Sequence, residues 1–359
     1  MATNRPAQEE RGTQKWKRIR RWAKSASALI AAVGIAAAGI GYITDGVQFF
    51  SGIADYFDDQ SELRSLVAAA DERLTRADYE AAWQTNAKAR ELAPGNTGAA
   101  EQQARIAMKW LENMRLSSAD GRQTLSDVVD PLKSVLIERL ADTAGRGRAD
   151  LRAHIGWANF LLYRAGRPET DIVGEFDAAI VEDPDNLYGH VMRGYWILSN
   201  GGPLDRARAN LDAALQSSTD PAYSDMLIMA GLMNRTSDEF MVGAIEYADK
   251  IRKAGRNIGA GTKRSLVWYY TIGLRDVDLL AKISALLPPG EQTVFLDWLR
   301  QSDIADREKR VATYFMAFFE ERAGKKEEAL RLYRELVSTS SGTGEDLAGL
   351  SQAAITRLQ

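Results

Sequence analysis

The chain has 359 residues, with 46 Lys and Arg against 49 Asp and Glu, and no cysteine. A chain of this length buries a substantial core in one large or two small domains. The missing cysteine excludes disulfides, thiolate metal sites and a Cys nucleophile, and the acidic balance argues against nucleic acid as the main partner.

Residues 1–24 form a basic leader with eight Lys and Arg against Glu9 and Glu10, about +6, which leaves about −9 for the remainder. Ser25 to Thr44, SASALIAAVGIAAAGIGYIT, follows without a charge. As a helix it spans about 30 Å, enough to cross a bilayer core. Leu29, Ile30, Val33, Ile35, Ile40 and Ile43 supply about −2 to −4 kcal/mol toward insertion, part of it returned by the glycines and hydroxyls. Basic residues stay on the cytoplasmic side, and the first charges downstream are Asp45, Asp55, Asp58, Asp59 and Glu62. The expected topology is single-pass, N-terminus in the cytoplasm, with the C-terminal domain outside it; in a bacterium that is the periplasm. Two other readings stay open: cleavage of a signal peptide at Ala36-Ala37-Ala38, and an anchor whose domain remains in the cytosol. Small residues four apart, such as Ala32/Ala36 and Ala37/Gly41, would let two such helices meet as a homo-oligomer.

Residues 45–60 mix aromatics with acids and read as a juxtamembrane continuation or interfacial segment. Ser61 is expected to start a helix pair, SELRSLVAAADERLTR and DYEAAWQTNAKAREL, stopped by Pro94-Gly95-Asn96. Residues 61–140 read as N-terminal helical repeats, with SSADGRQTLSD as a loop between two helices. DTAGRGRAD (Asp142 to Asp150) reads as a polar linker. Residues 150–337 continue as helix pairs, and 338–359 as a loop plus a capping helix. Val, Ile and Thr nowhere alternate for long, so the class is all-α.

Ala70, Ala82, Ala89 and Pro94 occupy the crossing and stop positions of a helix pair. The same pattern returns as Gly156, Gly166, Phe176, Ala179 and Pro184; as Gly194, Gly201, Ala207, Leu211 and Ala214; as Gly231 and Ala244; and as Ala317, Gly324, Ala329 and Tyr333, where Leu336 departs from it. On these residues the chain resembles the tetratricopeptide repeat family. The resemblance implies a tetratricopeptide-like α-solenoid of antiparallel helix pairs, which follows the N-terminal transmembrane helix read from Ser25 to Thr44. Residues 265–302 fit it least and read as a degenerate repeat or packing insert.

No residue set points to catalysis. His154 and His190 each read as the opening of a first helix, with a packing or surface role. GAGTKR (Gly259 to Arg264) lacks the order of a phosphate loop and reads as a helix-linking turn. The carboxylate pairs Asp58/Asp59, Glu320/Glu321 and Glu327/Glu328 fall at helix starts or on solvated faces. Cofactor and metal are therefore expected to be none, and the chain is not read as an enzyme. Adjacent helical residues diverge by about 100°, so runs of aromatics cannot all enter a core. Tyr188, Tyr195, Trp196, Tyr269, Tyr270 and Phe318 are the candidates for a partner-binding groove. The expected function is a membrane-tethered scaffold or adaptor for a protein or peptide. The other reading is a structural or regulatory subunit of a larger membrane complex.

Overall fold

The structure, a computed structural model, describes residues 43–114, 122–168, 170–339 and 347–359. The leader, and the apolar run up to Tyr42, lie outside the described residues. Among the described residues no helix is long and apolar enough to cross a membrane. Those residues form sixteen α-helices and no strand, so the all-α expectation holds for them.

The chain falls into two compact units, Met1–Ala99 and Ala100–Gln359. In the first, α1 (Ile43–Thr75) runs without interruption across Ser61, where a helix start was expected. No Gly or Pro stands between Ile53 and Thr75, so nothing local stops the helix. Helix α2 (Tyr79–Leu92) folds back on α1 through the turn at Ala77 and is capped by the Asp78 carboxylate, which accepts from the Ala81 N–H. Leu63, Ala89 and Ala99 form a small core with Leu66, Val67 and Leu92 around it. Arg73 ties the pair by donating to the Ala81 carbonyl at 3.2 Å and to Thr85 Oγ1 at 2.6 Å.

Helix α3 (Thr97–Asn113) leads into the second unit. Helix α4 (Arg122–Leu140) begins inside the stretch expected to be a loop and carries Pro131 internally. The Gly/Arg stretch expected as a linker is largely helix, because α5 (Gly145–Arg164) starts at Gly145. There follow α6 (Ile172–Glu182), α7 (Leu187–Ser199), α8 (Leu204–Gln216), α9 (Pro221–Met233) and α10 (Asp238–Lys253). Next come α11 (Ala260–Gly273), α12 (Val277–Leu286), α13 (Pro289–Arg300), α14 (Asp306–Arg322), α15 (Lys326–Ser338) and α16 (Leu347–Leu358).

Caps and stops mark out these elements. Asp171, Asn186 and Asp220 accept the Gly174, Gly189 and Tyr223 N–H groups and open α6, α7 and α9. Gly166 and Gly201, with φ of +92° and +81°, end α5 and α7 in a left-handed turn that a side chain rarely adopts. The packing follows a repeating order: α5 on α6, α7 on α8, α9 on α10, α11 on α12 and α14 on α15. Helix α5 also meets α7, α7 meets α9, α8 meets α10 and α10 meets α12. Helix α13 enters this order as an insert that packs on α14 and α11, and α16 covers α15.

Close approach explains two of the small residues. A Cβ on Gly156 would stand 2.8 Å from the Phe176 ring, so α5 and α6 cross there because nothing projects between them. At Gly194 the nearest atom would be a Leu211 methyl at 2.5 Å, the equivalent crossing of α7 and α8.

Candidate functional site

The six aromatics expected in a groove divide into two groups. Tyr270 is wholly buried, and its hydroxyl donates to Gln292 Oε1 at 2.9 Å while Gln292 Nε2 donates to the Ile283 carbonyl at 2.7 Å. Tyr269 is also buried, and desolvation raises its hydroxyl pKa. Tyr188 is buried too, its ring 4.6 Å from that of His154 and 5.8 Å from that of Tyr223. These three rings are spent on packing within the chain. Tyr195, Trp196 and Phe318 remain half-exposed. Tyr195 packs edge-on to Trp157 and Phe160 at 5.5 and 6.0 Å, and Phe318 packs on Phe315 and Phe319 under the Arg322 guanidinium. The structure therefore does not gather the six at one place. Among the described residues the aromatics most open to solvent are instead Trp268, 49% exposed, and Tyr163, 39% exposed.

Two grooves flank α11, and Trp268 lines the smaller of them. One, of about 530 Å³, is bounded by α9, the α10–α11 turn and the start of α11, and is lined by Met226, Met229, Met233 and Ile258. The other, of about 210 Å³, lies between α11 and α14 and is lined by Arg264, Trp268, Thr271, Arg307 and Val311. Ser265 belongs to both walls. The GAGTKR segment, expected to be a linking turn, is mostly the first turn of α11, with Gly259 as its N-cap and no side-chain cap bond. Asp225 closes the floor of the methionine groove; its carboxylate is almost fully buried beside Arg256 Nη1 at 3.3 Å. Desolvation pushes its pKa up to about 6, the nearby guanidinium offsetting part of the rise.

A second assembly is buried and ionic. His154 lies well inside α5 and not at a helix start, because α5 begins at Gly145. Its Nδ1 is 2.7 Å from the Asp150 carbonyl and its Nε2 is 2.9 Å from Glu112 Oε1. Since a carbonyl only accepts, Nδ1 carries a proton, and the Nε2–Glu112 contact needs a second proton on one of the two partners. The other Glu112 oxygen accepts from Lys109 Nζ at 2.7 Å, and Lys109 also donates to Asp220 at 2.8 Å. Burial works against the Lys109 charge, but the bonds to Asp220 and Glu112 outweigh it and hold the ammonium above its ordinary pKa. Tyr188 sits against this group, its hydroxyl pushed up to about 12 chiefly by burial and then by the Glu112 charge. The cluster joins α3, α5, α7 and the cap of α9. It has the parts of an acid–base site, but Glu112 and His154 are both sealed from solvent, which leaves no room for a substrate beside them.

Sequence reading missed this cluster. The only local signal was the i,i+3 pair Lys109/Glu112; His154 and Asp220 lie 42 and 111 residues from their partners. Glu320, read as a solvated-face carboxylate, is also buried, with Lys325 Nζ 3.0 Å away. Among the described residues no group of His, Asp and Glu is arranged to hold a metal ion. No family model matches the chain, and no curated protein matches it.

Proposed function

We propose that this chain is a membrane-tethered scaffold whose helix pairs form a tetratricopeptide-like solenoid that binds a protein or peptide partner. The observation that carries the reading is the packing order of the second unit: α5, α7 and α9 stack as consecutive first helices, each backed by its own second helix. Stacked pairs of this kind leave a continuous face of first helices open to a ligand. The crossing glycines Gly156 and Gly194 support the same reading, since they stand where the family places small residues. The tether rests on the uncharged run Ser25 to Thr44 and the basic leader before it, which set the orientation with the cytoplasm on the leader's side.

One experiment tests both halves. The full chain, and a version lacking residues 1–44, are expressed with a photo-crosslinking residue in place of the half-exposed Tyr195. The full chain is expected to stay with membranes after carbonate washing and to give a discrete protein adduct on irradiation. The shortened chain is expected to be released. Release of the full chain overturns the tether, and absence of any adduct from a membrane-bound chain overturns the scaffold.

A further inference from the structure

The last turns of α3 are fastened to the three stacked first helices, α5, α7 and α9. The Leu111 carbonyl accepts from the Trp157 indole N–H of α5 at 3.1 Å. Lys109 Nζ reaches Asp220, which caps α9, at 2.8 Å, and the Tyr188 hydroxyl of α7 at 3.5 Å. Glu112 Oε1 lies 2.9 Å from His154 Nε2 on α5. Both side chains are sealed from solvent, and at that separation no water fits between them.

The Glu112–His154 contact depends on a proton. A neutral imidazole has one N–H, and both nitrogens of His154 face acceptors: Nδ1 the Asp150 carbonyl at 2.7 Å, Nε2 the Glu112 carboxylate. Shifting the tautomer only moves the conflict from one nitrogen to the other. One proton beyond the neutral ring and the ionised carboxylate satisfies both contacts, and the pair holds it jointly. The surrounding charges favour keeping it. Lys109 faces the pair from α3 and is shared with Asp220 at the α9 cap. Asp150, one turn before His154, has a carboxylate that accepts from Asn186 Nδ2 at 2.6 Å. Tyr188 from α7 and Tyr223 from α9 stay neutral, because burial raises both hydroxyls. With Glu112, three carboxylates therefore stand against one ammonium, and an added positive charge is favoured.

We infer that the His154–Glu112 contact is a proton-dependent latch that fastens α3 to α5, α7 and α9. With the proton in place, Nε2 and Oε1 share a hydrogen bond. Without it, a ring lone pair opposes a carboxylate oxygen with no solvent to separate them, and the contact opens. Opening frees the end of α3, drawing Lys109 from the α9 cap and the Leu111 carbonyl from Trp157. Above about pH 6.5 an unfolded chain has neutral histidine and ionised glutamate, so the folded chain then binds one proton more. Stability from the latch is therefore complete below about pH 6.5 and falls as pH rises, by up to about tenfold in the folding constant per pH unit. The latch does not depend on the scaffold reading, although it holds the helices that reading uses.

The test uses the full chain labelled with nitrogen-15. Its two histidines, His154 and His190, give two sets of ring signals, assigned with His190→Gln. The His154 signals are expected to hold steady through about pH 6.5, where a free imidazole titrates. At higher pH they are expected to move together with a loss of exchange protection at the Trp157 indole N–H, assigned with Trp157→Phe. Urea unfolding across about pH 6.5–9 reads the linkage, and His154→Gln, which keeps His190, removes the latch's share of the slope. The wild type is expected to lose up to about tenfold more in its folding constant per pH unit than His154→Gln. His154 signals that titrate near about pH 6.5, that move while Trp157 stays protected, or that do not move before global unfolding overturn the inference. Equal slopes for the two chains overturn it as well; if His154→Gln does not fold, the wild-type signals decide alone.

Discussion

Glu112 is the hub of the buried ionic cluster, and Glu112→Ala removes it. Its side chain is 3% exposed, and that of His154 is 1% exposed. Truncation deletes the 2.9 Å contact to His154 Nε2 and the 2.7 Å bond to Lys109 Nζ, and leaves an imidazole nitrogen facing a hole. Each bond to a charged group is worth about 1.5–3 kcal/mol net. Breaking a buried pair by removing one partner costs about 3–5 kcal/mol, and Lys109 keeps Asp220 and part of its solvent contact, which limits the loss on that side. The expected destabilisation is about 3–5 kcal/mol, which lowers Tm by roughly 6–20 °C at about 2–4 °C per kcal/mol for a unit of this size. Urea and thermal unfolding of the wild type, Glu112→Ala, His154→Ala and the double variant read this out, with a coupling between the two sites of about 0.5–3 kcal/mol. Glu112→Gln should fall between, since its amide oxygen still accepts from His154 while its NH₂ faces the Lys109 ammonium. A loss below about 1 kcal/mol for Glu112→Ala, or strict additivity of the two single variants, would refute the reasoning.

The Asp225 pKa of about 6, raised from 3.8 by burial, means that between about pH 4 and 6 the folded chain holds a proton there that the unfolded chain has released. Stability from this group is therefore present below about pH 4 and falls as pH rises through about 6, by up to about 3 kcal/mol; Asp225→Asn should flatten that part of the stability–pH curve measured by urea unfolding. At the helix crossings, Gly156→Ala should cost about 1–3 kcal/mol, because the buried Phe176 ring it meets cannot turn aside. Gly194→Ala should cost less, because the atom in its way is a Leu211 methyl that can rotate, while the gain in helix propensity is the same at both sites; the comparison is read from paired thermal melts.

What lay in the sequence alone was local. The apolar spacing gave the helical class, Asp171, Asn186 and Asp220 were available as caps, and Gly194 marked a crossing, because caps, stops and helix faces depend on residues a few positions apart. Boundaries were less legible where local signals conflicted with packing. The Gly/Arg stretch before Asp150 read as a linker, yet Ala149 and Leu151 are buried and hold its helical start in place. The facing of the aromatics was not legible at all. Tyr270 and Trp268 are two residues apart on one helix, and only their neighbours decide that the first meets Gln292 in the core while the second stays half-exposed near Arg307. The Glu112–His154–Lys109–Asp220 cluster shows the same limit most sharply. Each member reads as an ordinary helical or capping residue, and a buried charge becomes tolerable only when the tertiary structure brings its opposite partner from a distant element to within hydrogen-bonding distance.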